Sequence, residues 1–190
     1  MVKYTCRPFR TLLFSKKEVQ ELFSIGDKII FGSDGVYTVA EYTSSPIDKN
    51  DTRQFYVLRP VYGHESNIII TPATNERGKL RAVMSREEAL AFIESMPGIE
   101  ILVVEREKNR RDVYRRALEV TTAESMAQII KTVSARREEL AKVKKRPSES
   151  DNDYEKKAKH CLYGELSIAL EISITEVERF IECKLESMAG

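Results

Sequence analysis

The spacing of apolar residues changes period near Ser85, and that change constrains the fold more than any other feature. Before it, apolar and β-branched residues come in short runs broken by turn residues. After it, they recur at three- and four-residue intervals behind capping residues. A chain patterned this way is predicted to be α+β, with a β-rich unit first and an all-α unit second.

The first half offers the runs Ile25 to Phe31, Val36 to Thr43, Gln54 to Val61, Ser66 to Thr71 and Lys79 to Val83. Ser33-Asp34-Gly35 and Asn75-Glu76-Arg77-Gly78 read as turns, with Gly35 free to take positive φ. Ser44 through Thr52, containing Pro46, reads as a polar loop. Short strands at roughly ten-residue spacing predict a small SH3-like or Tudor-like five-stranded β-barrel. Such barrels bind proteins by strand addition at an exposed edge, and the sequence does not choose the edge.

The second half predicts a helical bundle. Ser85 with Glu88, Thr121 with Glu124 and Ser173 with Glu176 have the spacing of capping boxes. Helices are expected from Ser85 to Met96, Glu105 to Leu118, Thr121 to Lys145, Asp153 to Leu170, and from Ser173 onward. Pro97-Gly98 and Pro147 act as stops, and Ser148 to Asp153 reads as a polar linker. The helical faces carry Tyr114, Ala117 and Leu118; Met126, Ile129, Ile130 and Val133; Tyr154, Ala158, Cys161 and Leu162; and Ile174, Val177, Phe180, Ile181 and Leu185. The expected domains are 23–97 and 98–190, with the boundary between Pro97 and Glu105. Residues 1–22 form an extension in which Ser15-Lys16-Lys17-Glu18 fits the start of a short helix.

Several function classes have little to stand on. No run of about 18 apolar residues offers a membrane span, and Leu12-Leu13-Phe14 is too short for a signal-peptide core. The cytosol is the expected compartment. Cys6, Cys161 and Cys183 lie far apart and His64 and His160 are the only histidines, so no metal, cofactor or disulfide framework is expected. No phosphate loop, HExxH or G-x-S-x-G is present, and no enzyme activity is expected. His160 and Cys161 point about 100° apart on a helix and share no proton easily. Cys161 continues an apolar stripe and reads as core. His64 reads as an exposed turn residue, and Tyr62 and Tyr114 as packing or stacking groups.

Charge is unevenly spread. The chain carries a net +1, yet residues 105–146 hold 13 basic and 7 acidic side chains, net +6. Residues 147–190 hold 5 basic and 10 acidic, net −5. The basic residues cluster as Arg110-Arg111, Arg115-Arg116, Arg136-Arg137 and Lys144-Lys145-Arg146. They fit contact with DNA phosphates, which would be salt-dependent and largely non-sequence-specific. They equally fit a solvated face partly paired with Glu107, Asp112, Glu138 and Glu139.

Phe23 through Val36 resembles the opening of the CarD/CdnL/TRCF family: an aromatic, then Gly26-Asp27, an apolar run to Phe31, a short turn ending at Gly35, then Val36. The resemblance continues through Phe55-Tyr56-Val57-Leu58, Ile70-Thr71-Pro72, Arg81 before Ala82-Val83-Met84-Ser85, and the stretch Tyr163-Gly164-Glu165-Leu166-Ser167-Ile168-Ala169. It covers about Phe23 to Leu185 in order and is closest to the clostridial type. It implies a Tudor-like domain that binds the β subunit of bacterial RNA polymerase. It also implies a helical domain that touches promoter DNA and modulates the open complex. A tether of this kind raises the local concentration of a weak DNA binder. The DNA-contacting residues implied here are Arg110, Arg111, Arg115, Arg116, Arg136, Arg137, Lys144 and Lys145. Those implied for polymerase are Arg53, Arg59, Ile69 and Ile70. The chain has no Trp, whereas well-studied members place a Trp wedge near the position of Arg110. Where those members have a basic residue before Pro72, this chain has Ile70. A polymerase- or protein-binding scaffold without DNA contact is the competing expectation. A monomer is expected, with a strand-exchanged dimer as the other possibility.

Overall fold

The computed structural model describes residues 23–45, 51–64, 66–74 and 79–189. The expected short helix near Ser15, the turn at 75–78, Cys6 and most of the loop after Ser45 lie outside them. The strands are β1 (Lys28–Phe31), β2 (Gly35–Thr43), β3 (Phe55–Pro60), β4 (Ile69–Pro72) and β5 (Leu80–Ala82). They form one antiparallel sheet in the order β4-β3-β2-β1-β5. Among the described residues no ladder joins β4 to β5, so the sheet has two edges.

One face of the sheet makes its own core from Ile29, Tyr37, Val39, Tyr56, Leu58 and Leu80. The opposite face is buried too, which is why Ile30 and Val36 are covered although they alternate with the core set. Tight turns feed the strands. Gly35 has φ +100°, and a Cβ there would lie 3.2 Å from the His160 ring, so both conformation and space favour glycine.

The helices are α1 (Arg86–Ser95), α2 (Arg110–Val120), α3 (Ala123–Lys142), α4 (Glu149–Leu170) and α5 (Val177–Ala189). Ser85 caps α1 as expected: its Oγ accepts from the Glu88 N–H at 3.1 Å, and its own N–H donates to Glu88 Oε2 at 2.7 Å. Two expectations for helix starts need correction. Thr122, not Thr121, caps α3 by accepting from the Ser125 N–H. Thr121 is instead the left-handed residue that ends α2, at φ 59°. The supposed linker after Pro147 is the start of α4. Ser148 and Asp151 make a reciprocal capping box there, with Asp doing the work usually done by Glu. At Ser173 half a box forms: its N–H reaches Glu176, while its hydroxyl accepts from the nearer Thr175 N–H.

The helical core joins Ala89, Ile93, Tyr114, Ile129, Val133, Leu162, Leu166 and Val177. Ala89 and Ile93 belong to α1. The helical core thus begins ahead of Pro97, where β5 hands over to α1, with Val83 and Met84 packed against it. A fragment ending at residue 97 would leave the apolar face of α1 uncovered. Helix α4 is the centre of the bundle, touching every other helix and also β2. It is this helix that welds sheet and bundle together.

Candidate functional site: a strand edge and a basic helical face

The two sheet edges differ. β5 is three residues long, and its Arg81 is ion-paired to the buried Glu165 of α4. Among the described residues β4 carries no neighbour on its outer side. The Ala73 N–H donates to Gln54 O at 2.9 Å, and the register pairs Leu58 with Ile69 and Val57 with Ile70. Hydrogen-bonded and non-bonded pairs alternate along an antiparallel ladder. Positions 69, 71 and 73 thus aim their backbone groups at β3, while 70 and 72 aim theirs outward. Pro72 fits that parity, because the N–H it lacks would face solvent. Ile70 presents both an outward N–H and a side chain that is 44% exposed, and Ile68 is equally exposed.

The other residues expected at the polymerase contact divide. Ile69 packs on the sheet core. Arg59 is exposed on β3. Arg53 is ion-paired with Asp51 at 2.7 Å, and its guanidinium lies 5.9 Å from the centre of the Phe55 ring. Ile70 and Arg59 are therefore presented at or beside the edge, whereas Ile69 is structural.

The basic residues divide more sharply. Asp151 is fully buried at the junction of α2, α3 and α4. Arg110 Nε lies 2.7 Å from its Oδ1, and Arg136 Nε 3.5 Å from its Oδ2. Both arginines also pair with Glu107. The hydroxyl of Tyr114, buried beside this cluster, has no hydrogen-bond partner among the described residues. The Tyr114 ring packs 5.4 Å from that of Tyr154. Arg137 is held by Glu155, and Arg115 lies between Asp112 and Glu119 on the helix surface.

Of the arginines expected to face DNA, Arg110 and Arg136 are engaged with Asp151 and Glu107 instead of standing free. Their charge is spent on a carboxylate that could not otherwise be buried. Arg111 and Arg116 are exposed and make no ion pair among the described residues. Lys144 and Lys145 are exposed just beyond the end of α3, Lys144 in the left-handed conformation at φ 56°.

Two further exposed cations, missed in the sequence, lie on α4. Lys156 and Lys157 of α4 are exposed, and Lys157 meets Arg111 across a groove of about 340 Å³ lined also by Glu149, Ser150, Asp153 and Tyr154. Both sit in the acidic segment, whose net charge concealed them. Their signal was periodicity: Tyr154, Ala158 and Cys161 turn inward, which places 156 and 157 outward.

A second cleft, of about 830 Å³, runs between the β1–β2 turn and α4, with Asp34, Lys156, His160 and Tyr163 on its walls. Cys161 lies beneath it. Its thiol donates to Ser33 O at 2.8 Å. Burial, reinforced by the negative charges of Asp34 and Glu165, pushes that thiol up to about 12. A thiol so rarely ionised is a poor nucleophile. Iodoacetamide should therefore label exposed Cys183 in the native chain and Cys161 only after unfolding in urea. Mass spectrometry of the peptides reads the difference, and equal labelling of the native chain would refute the burial of Cys161.

Among the described residues no cluster of His, Cys, Asp and Glu could hold a metal ion, and no helix is long and apolar enough to cross a membrane. No protein-family model and no curated protein matches the sequence.

Proposed function

We propose that this chain is a transcription regulator of the CarD/CdnL/TRCF kind. In this reading the sheet is the Tudor-like module of that family. Its β4 edge takes a strand of the bacterial RNA polymerase β subunit. The exposed cations Arg111, Arg116, Lys144, Lys145, Lys156 and Lys157 supply phosphate contacts to promoter DNA, and those contacts change the stability of the open complex. The observation that carries the reading is a β4 edge with no neighbour among the described residues and outward backbone at Ile70, together with exposed cations that make no ion pair among the described residues. The ordered motifs of the sequence add to it.

DNA contact in this protein is electrostatic. The side chain near the usual wedge position, Arg110, is engaged with Asp151 and Glu107 and is not free to enter a minor groove. The scaffold reading without DNA is favoured by that same neutralisation, and salt-dependent retention on DNA separates the two.

Co-purification of the full chain with RNA polymerase from bacterial extract tests the polymerase contact. The wild type is expected to retain the β subunit, and Ile70→Pro to lose it. Proline at 70 deletes an outward N–H while sparing the ladder to β3. A wild-type chain that captures no polymerase at micromolar concentration would sink the reading. Undiminished capture by Ile70→Pro would move the contact away from β4.

A further inference from the structure

The stretch Gly164-Glu165 and the residue Arg81 take no part in either surface above. Both lie where sheet meets bundle. Glu165, in the middle of α4, is 1% exposed. Its carboxylate accepts from two N–H groups of Arg81 on β5, with Nη2 to Oε2 at 2.6 Å. It also accepts from the Met84 N–H at 3.2 Å, just ahead of α1. One buried carboxylate thus ties three pieces of chain: a strand, the connector and the central helix.

The neighbouring positions on α4 follow suit. A Cβ on Gly164 would lie 3.3 Å from both Val36 of β2 and the Tyr62 ring. The Tyr62 hydroxyl lies 2.8 Å from Ser167 Oγ, and Cys161 bonds Ser33 O. Along about two turns, therefore, α4 meets the sheet through close backbone approach and directed polar contacts. Apolar contacts tolerate sliding, but a two-pronged ion pair whose carboxylate is buried does not. Any shift of α4 across the sheet strands a charge away from water.

We propose that Glu165 is a positioning residue that locks sheet and bundle into one rigid frame. The strand edge and the basic face then stand at a fixed separation, and the chain acts as a spacer of set length rather than as two tethered modules. The lock itself is a property of the isolated chain. Its consequence for joint binding rests on the function proposed above.

Two variants of the full chain test it. Glu165→Gln keeps the shape and removes the charge. The pair Arg81→Met with Glu165→Met removes direction without stranding a charge, so it remains a usable probe if the single variant folds poorly. Amide ¹⁵N relaxation should give one tumbling time for sheet and helices in the wild type and two different times in the variants. Each variant should still bind polymerase without DNA, and DNA without polymerase, as the wild type does. The extra DNA affinity gained when polymerase is present should fall by about tenfold, as expected for the loss of a coupling between sites.

Separate tumbling in the wild type would overturn the lock, and so would a single tumbling time in both variants. Unchanged joint affinity in a variant that tumbles as two bodies would overturn its part in function. Failure of the wild type to bind polymerase at all would instead strike the proposed function, while the tumbling times would still decide the lock.

Discussion

Replacing Asp151 by asparagine is expected to lower the thermal midpoint by roughly 6–12 °C, from a loss of about 3 kcal/mol. The carboxylate is fully buried, and its arginine partners are only 13% and 25% exposed. Removing it leaves two guanidinium groups facing each other across the space beside Tyr114. The loss falls at the lower end for a broken buried pair because Glu107 still serves both arginines.

The same group gives a pH test. Burial pushes the Asp151 carboxyl up, but hydrogen bonds from Ser148 and the charges of Arg110 and Arg136 outweigh it and hold the group below its ordinary value. A carboxyl depressed on folding stabilises the native state fully above its unfolded pKa, about 3.9. That contribution is lost as pH falls through the lower folded value. The gap between wild type and Asp151→Asn should therefore be complete at pH 7 and narrow below about pH 4. Urea unfolding at both pH values measures it. A gap that stays constant would mean that the charge of Asp151 is not its source.

The second large effect concerns DNA. Changing Arg111, Arg116, Lys156 and Lys157 together to glutamine should reduce the slope of log affinity against log salt by about 3 to 4 and weaken binding by about a hundredfold near 0.2 M salt. All four are exposed and make no ion pair among the described residues, so the fold should survive. Fluorescence anisotropy with duplexes of two unrelated sequences should show the same loss on both. An unchanged slope would remove this face from the DNA contact and leave the scaffold reading. Including Arg110 in the set would spoil the experiment, because its loss destabilises the bundle through Asp151.

Local chemistry made most of the elements legible. Gly35 ends a turn, Ser85 and Glu88 sit three residues apart at the head of α1, and Pro97-Gly98 closes it. Contacts between distant residues were not legible. Arg110 and Asp151 are 41 positions apart, and nothing on α2 announces that one member of an arginine doublet turns inward while the other turns out. Asp151 and Asp153 give the stretch after Ser148 the look of a loop, although Asp at the third helical position completes a cap as Glu does. The handover between cores is not legible for a related reason: the pattern of α1 shows that it is amphipathic, not which core it covers. Lys156 and Lys157 were hidden by averaging charge over a segment instead of over a helix face.

Pro72 carries one further consequence. Within β4, only Ile70 offers an outward N–H, because the next outward position is a proline. A guest strand must therefore stop there, with few backbone bonds available, each worth about 1 kcal/mol net. Main-chain pairing alone would make a fleeting complex. In the proposed complex selectivity would fall to the side chains beside it, Ile68, Ile70 and Arg59. The same stop also denies the edge to open-ended stacking of copies, the hazard that a longer bare strand would bring.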